Sequence, residues 1–259
     1  MRIGDIIHHK PSGEQRLVVR ACENGDIIAA LFVESGGCYF GLPNVVPFDA
    51  IGQQFFTVPN QPVPDARQYN GPWPVVAHPP CQRWGRFWHG STRKPHQFNL
   101  GDDGGCFVAA LAAVRKWGGV LEHPADSHAW AAYSIPAPKR GAGWLEIGNG
   151  DWTCYVEQGN YGHFSRKPTW LFYHGPRPFD LDWTIGEQRL DPRALERYGY
   201  EKARRIGSMS WIGGRNKTRI RNATPHLFRD VLLSLASNTG LDSSETPEQS
   251  VGESGNEVK

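Results

Sequence analysis

The stretch Pro74-Val75-Val76-Ala77-His78-Pro79-Pro80-Cys81 constrains this chain more than any other. Val75-Val76-Ala77 reads as a short buried strand, ended by two prolines that pre-set the backbone and present a thiol without a flexible lead-in. A long loop rich in Trp, Arg and His then runs to about Asp103. Phe107 to Trp117 is predicted helical, with Val108, Leu111, Ala112 and Val114 spaced for a buried face. Gly118-Gly119 stops that helix, and Val120-Leu121-Glu122 is the next strand. Strand, helix and strand at this spacing make a βαβ unit of a parallel sheet. Cys81 then stands at a strand's carboxyl end, where open α/β sheets bind ligands.

The residues before this unit follow another grammar. Asp5 to Ile7, Arg16 to Arg20, Asp26 to Val33 and Cys38 to Phe40 are predicted short strands separated by Pro-Ser-Gly, Glu-Asn-Gly and Ser-Gly-Gly turns. They suggest a small β-barrel-like domain over residues 1–60, followed by a proline-rich connector over 61–74. The main α/β core is expected over 75–236, with strands at Trp152 to Glu157 and Thr169 to Tyr173. Its last helix is expected over His226 to Ala236, with Thr224 as N-cap and Pro225 in the first turn. Residues 237–259 are Ser-, Glu- and Gly-rich and almost without apolar side chains, and are expected to be disordered.

Composition sets the class. With 39% hydrophobic and 21% charged residues, the chain has enough apolar material for a packed core, and a net charge of +2 neither demands nor excludes a polyanionic partner. Five scattered cysteines, with no secretory or transit signal in front of them, argue for a reduced, cytoplasmic protein. No apolar run is long enough to span a membrane.

Glu122 occupies the carboxyl end of the strand after Cys81's, in Leu121-Glu122-His123-Pro124, so both are expected to face one crevice. Thiolate addition at C6 of a pyrimidine makes C5 nucleophilic, and a carboxyl group on the N3 and amino edge favours that addition. Enzymes doing such chemistry flip the base out of the helix. The competing readings are a turn cysteine and a capping carboxylate. Between Gln82 and Phe98, Arg83, Trp84, Arg86 and Trp88 interleave cations with aromatics, as suits a loop closing on an extruded nucleotide. The alternative is an exposed loop whose tryptophans pack on the domain. Arg204, Arg205, Arg215, Lys217, Arg219 and Arg221 form a second basic stretch. His78, Cys81, His89 and His123 lack zinc-ligand spacing, and Trp84 stands where a deaminase would need cysteine, so no metal is expected.

These segments, in this order, resemble the DNA cytosine-C5 methyltransferases. Pro79-Pro80-Cys81 is similar to their Pro-Pro-Cys motif, and Glu122-His123-Pro124 with Ser127 and Trp130 to their Glu-Asn-Val or Glu-Asn-Pro motif. Tyr161 to Leu171 resembles the stretch carrying Gln-x-Arg-x-Arg, with Ser165, Lys167 and Thr169 in place of Gln, Arg and Arg. Arg221-Asn222-Ala223-Thr224-Pro225 is similar to their closing Gly-Asn-Ala-x-Pro-Pro motif. The resemblance covers about three fifths of the chain, and its compact form is like methyltransferase-like proteins of phages and prophages.

The resemblance implies a partial Rossmann-like methyltransferase core with Cys81 and Glu122 catalytic. It further implies DNA contacts from Arg83, Trp84, Arg86, Trp88, Arg166, Lys167 and Thr169, and S-adenosylmethionine beside Pro79, Asn222, Ala223 and Thr224. The family's Phe-x-Gly-x-Gly strand is not found after the connector; Gly36-Gly37 and Gly41 sit among β signals with no helix following. The cofactor half is therefore expected to be missing or supplied by a second chain. Two other functions stay open: pyrimidine-C5 modification with a different donor, and a DNA-binding remnant without chemistry.

Overall fold

The computed structural model describes residues 6–9, 15–19, 27–49, 56–58, 61–62, 65–90, 97–186, 190, 192–206 and 217–239. Its strands are β1 (Ile6–His9), β2 (Gln15–Val19), β3 (Ile28–Val33), β4 (Val45–Asp49), β5 (Phe56–Val58), β6 (Gln61–Pro62), β7 (Val75–Ala77), β8 (Gly119–Pro124), β9 (Leu145–Gly148), β10 (Asp151–Glu157) and β11 (Pro168–His174). Its helices are α1 (Cys106–Trp117), α2 (His128–Ala132), α3 (Pro192–Ile206, broken at Gly199), α4 (Lys217–Asn222) and α5 (His226–Ser237). The expected tail beyond residue 239 and the loop at 91–96 lie outside the described residues.

Seven strands form one mixed sheet in the order β4-β3-β7-β8-β11-β10-β9. The pairs β4-β3, β3-β7 and β7-β8 are parallel, and β8-β11, β11-β10 and β10-β9 antiparallel. The predicted βαβ unit is present as β7-α1-β8. Strands β3 and β4, expected in a separate small domain, instead extend this sheet beyond β7. The cause is legible in β3: Ile-Ala-Ala-Leu-Phe-Val is apolar at every position and buried throughout. A strand covered on both faces shows no alternation, which is the mark of a parallel interior strand rather than of a half-exposed barrel. The hairpin β1-β2 and the pair β5-β6 are separate two-stranded ladders.

Alternate residues of each central strand feed opposite layers. Ala29, Leu31, Val75, Ala77, Leu121 and Phe172 pack with α1 and α2. Ile28, Ala30, Val76, Val120, Leu171 and Tyr173 pack with Phe228, Val231, Leu232 and Leu235 of α5. In α1 the buried face is Cys106, Phe107, Ala110, Leu111, Ala113 and Val114, whereas the expected core residues Val108 and Ala112 face outward. Phe107 begins the true stripe, and a stripe counted from Val108 is rotated by one residue, about 100° on a helix. Gly119 begins β8 at φ 118°, and a Cβ there would lie 2.0 Å from the Val75 carbonyl oxygen, so only glycine lets β7 and β8 pair.

Two other expectations are corrected. Cys38 to Phe40 is a turn, not a strand. Pro225, rather than Thr224, is the N-cap of α5, in extended backbone and with no side-chain cap bond. No helix among the described residues is long and apolar enough to cross a membrane. Cys38, Cys81, Cys106 and Cys154 are free thiols.

Candidate active site at the carboxyl edge of the sheet

From β3 the chain steps outward to β4, while from β7 it steps the other way to β8, so strand order reverses between β3 and β7. Crevices outside the carboxyl ends of strands at such a switch point are the usual ligand sites of open α/β sheets. Here the loop after β3 brings Tyr39 to the edge, the turn after β7 brings His78 and Cys81, and β8 brings Glu122. Because β11 runs antiparallel to β8, and β10 antiparallel to β11, Lys167 and Thr169 enter the same edge from the start of β11, and Gln158 from the end of β10.

Glu122 is the centre of a hydrogen-bond network. His78 Nδ1 lies 3.0 Å from its Oε2, and Gln158 Nε2 donates to its Oε1 at 2.9 Å. Gln158 Nε2 also lies 3.0 Å from Thr169 Oγ1, which is 3.5 Å from Glu122 Oε1. The other ring nitrogen of His78, Nε2, meets the Tyr39 hydroxyl at 2.8 Å. Burial pushes the Glu122 carboxyl up, but the hydrogen bond and charge of His78, with Lys167 and His123 nearby, bring it down to about 2. Glu122 is thus an ionised, acceptor-only group held at a fixed orientation.

Cys81 accepts the backbone N–H of Trp84 and Gly85 at 3.1 and 3.0 Å through its carbonyl, which folds the following turn tightly against it. Burial raises its thiol pKa and the Glu122 charge raises it further, while Lys167 and Arg221 act in the opposite direction. It rests as a thiol. The Lys167 ammonium is itself disfavoured by burial, and Glu122, Cys81 and Cys38 partly restore it. Its Nζ donates to the carbonyls of Asn222 and Ala223 at 3.2 and 3.0 Å, and its backbone sits at φ 41°. Non-glycine residues in that region carry strain, and such strain concentrates at sites.

Cys81, Glu122, Lys167 and Thr169 lie together at this edge of the sheet. Thr169 is fully buried and serves the Glu122 network. Trp84 does not join the predicted stacking loop: it is 5% exposed, packs near Phe107 and Tyr133, and donates from Nε1 to Asp103 at 2.8 Å. Arg83 lies over the Phe98 ring at 3.3 Å, Arg86 near the exposed Phe87, and Trp88 against His89. Arg166 turns to Glu157 and the Gly186 carbonyl. Asn222 and Ala223 act through carbonyls that hold Lys167, Pro79 is buried and Thr224 half-buried.

The sequence reading missed Tyr39 and Gln158, and set His78 beside Cys81 rather than against Glu122. Gln158 carried a usable signal, since it follows a buried strand just as Glu122 ends one. Among the described residues, no group of three or more His, Cys, Asp or Glu side chains is arranged to hold a metal ion. Comparison with protein-family models, curated proteins and solved structures found no match.

Proposed function

We propose that this chain modifies a pyrimidine base of DNA at C5, in the manner of the cytosine-C5 methyltransferases it resembles. Cys81 adds to C6, and Glu122 binds the N3 and amino edge. One observation carries the reading: a thiol and a carboxylate oriented by His78 and Gln158 stand at the carboxyl ends of neighbouring parallel strands, beside a switch point. On this reading β4-β3-β7-β8 is the Rossmann-like part of the core, and β1-β2 belongs to the small N-terminal β unit.

Arg83, Arg86 and Trp88 lie on the turn after Cys81 and face the DNA, with the 65% exposed Phe87 among them. Trp84 supports that turn from below. Lys167 offsets negative charge next to Cys81 and ties the Asn222-Ala223 segment to the site. The partner is DNA in the cytoplasm of a bacterium or a phage-infected cell.

S-adenosylmethionine, the donor implied by the resemblance, would supply a methyl group to C5 when bound. Of the residues the resemblance sets beside it, Pro79 is buried and the Asn222 and Ala223 carbonyls hold Lys167, so these residues do not by themselves form its cradle and no step is routed through it.

Expression in a host lacking cytosine methylation, followed by mass spectrometry of the host DNA's nucleosides, tests the reading. We expect a methyl-sized gain on cytosine that Cys81→Ser abolishes. A different mass that still depends on Cys81 would move the reaction to another donor. DNA binding and biological effect unchanged by Cys81→Ser, with no new nucleoside, would refute the catalytic reading in favour of a binding protein.

A further inference from the structure

The Glu122 carboxylate presents a chemical difficulty. When sulfur adds to C6 of cytosine, the C5–C6 pair shifts to C4–C5 and the C4–N3 pair moves onto N3, which must then take a proton. A carboxyl group held down to about 2 carries no proton at neutral pH to give. The Gln158 amide at 2.9 Å bonds Glu122 but is not an acid, so the transferable proton is the one on the His78 imidazole. His78 reaches Glu122 Oε2 through Nδ1 at 3.0 Å and Tyr39 through Nε2 at 2.8 Å, with both His78 and Glu122 nearly buried. The Tyr39 hydroxyl is kept protonated, chiefly by burial. A hydroxyl accepts from Nε2–H, which is present both in the protonated imidazole and in the neutral tautomer left when Nδ1 gives up its proton, so it supports Nε2 in both states.

We propose that Tyr39, His78 and Glu122 form a proton line in which His78 is the positioning residue that charges Glu122 with the proton destined for N3. This rests on the proposed reading of the site. In the step, the Cys81 proton has gone to solvent and the sulfur–C6 bond forms. The two π pairs shift as described, His78 passes its Nδ1 proton to Glu122, and the carboxyl group delivers a proton to N3. His78 is left neutral as the tautomer that keeps its Nε2–H, which donates to the Tyr39 oxygen. The transfer also removes the negative charge of Glu122 from beside Cys81, one of the causes that holds the thiol up. Addition and proton delivery thereby favour each other.

The groups that act on this line come from several elements. His123 on β8, Lys167 at the start of β11 and Cys81 after β7 surround Glu122, while Cys38, Arg229 and Asp230 act on Tyr39. None but His78 bonds both Tyr39 and Glu122.

The test needs no methyl donor. Addition at C6 makes C5 exchange its hydrogen with water, so DNA carrying 5-tritiated cytosine should release tritium with the wild type and not with Cys81→Ser. The wild-type rate should rise and then fall with pH, because the step needs Cys81 without its proton and His78 with one. His78→Gln keeps an N–H for Glu122 but supplies no transferable proton; its exchange should be at least about tenfold slower and should lack that falling limb. Tyr39→Phe, which removes only the Nε2 partner, should displace the pH profile as a whole. His78→Gln with the wild-type rate and profile, or Tyr39→Phe with an undisplaced profile, would overturn the proton line alone. No Cys81-dependent release by the wild type would overturn the reading of the site together with it.

Discussion

His123 offers a quantitative check on how tightly this edge of the sheet is packed. Its ring is 1% exposed, stacks near-parallel on Trp130 at 6.1 Å, meets Phe107 edge-on, and bonds Ser127 Oγ through Nδ1 at 2.7 Å. Burial pushes the imidazole from its ordinary 6.5 down to about 4, against the raising influence of Glu122. The folded protein thus holds a neutral ring that the unfolded chain would protonate. The contribution to stability is complete above the unfolded value of 6.5 and is lost as pH falls toward 4. A gap of that size corresponds to about 3 kcal/mol, shed at up to about 1.4 kcal/mol per pH unit. Glu122 follows with the same sign: its folded value of about 2 lies below the ordinary 4.5, so its contribution disappears between those values.

Urea unfolding, followed by tryptophan fluorescence from about pH 7 to about pH 4, reads the slope directly. His123→Gln keeps a polar group but removes the titration. We expect the variant to be less stable at neutral pH, yet to lose about 3 kcal/mol less than the wild type across the window. The difference between the two slopes carries the test, because every other titrating group, including the buried His163, is common to both. Equal slopes would refute the claim that His123 is buried in its neutral form.

Two further predictions concern the scaffold. The Asp103 carboxylate accepts the backbone N–H groups of Gly105, Cys106 and Phe107 at 3.0, 3.2 and 2.9 Å as well as Trp84 Nε1, so it caps α1 and anchors the turn after Cys81 at once. Asp103→Ala should cost about 2–4 kcal/mol and lower the melting temperature in calorimetry by roughly 5–15 °C; a change within about 1 °C would mean the cap contributes nothing. Lys167→Met should free the Asn222 and Ala223 carbonyls, and trypsin should then cut after Arg221 at least about threefold faster. Unchanged cleavage would show that the α4-α5 segment is held by other contacts.

Much of the fold was legible because its signals are local. The β7-α1-β8 unit, β10, β11 and α5 each carry a continuous apolar pattern bounded by glycine or proline, and the sequence placed all of them within two residues. Cys81 and Glu122 were legible for a related reason. The residue ending a buried strand must lie at the sheet edge, and in a parallel unit consecutive strands share that edge. The placement of β3 was not legible as far as its partner was concerned. A six-residue apolar strand states that both its faces are covered but not which strands lie beside it, since hydrogen-bond ladders between backbones carry little side-chain identity. The side chains around Glu122 were hidden for the same reason. Tyr39, His78 and Gln158 lie 83, 44 and 36 residues away from it in the chain, measured from their numbers, and meet only through the strand order. Trp84 shows the limit from the other side: a tryptophan among arginines reads as a stacking platform, and only the position of Asp103 under it decides that it faces the core. By itself, the sequence determined which residues end strands and which cannot leave the core, because those are matters of local backbone and apolar burial. The tertiary structure alone decided which of those ends meet, because that depends on a sheet order that no local pattern encodes.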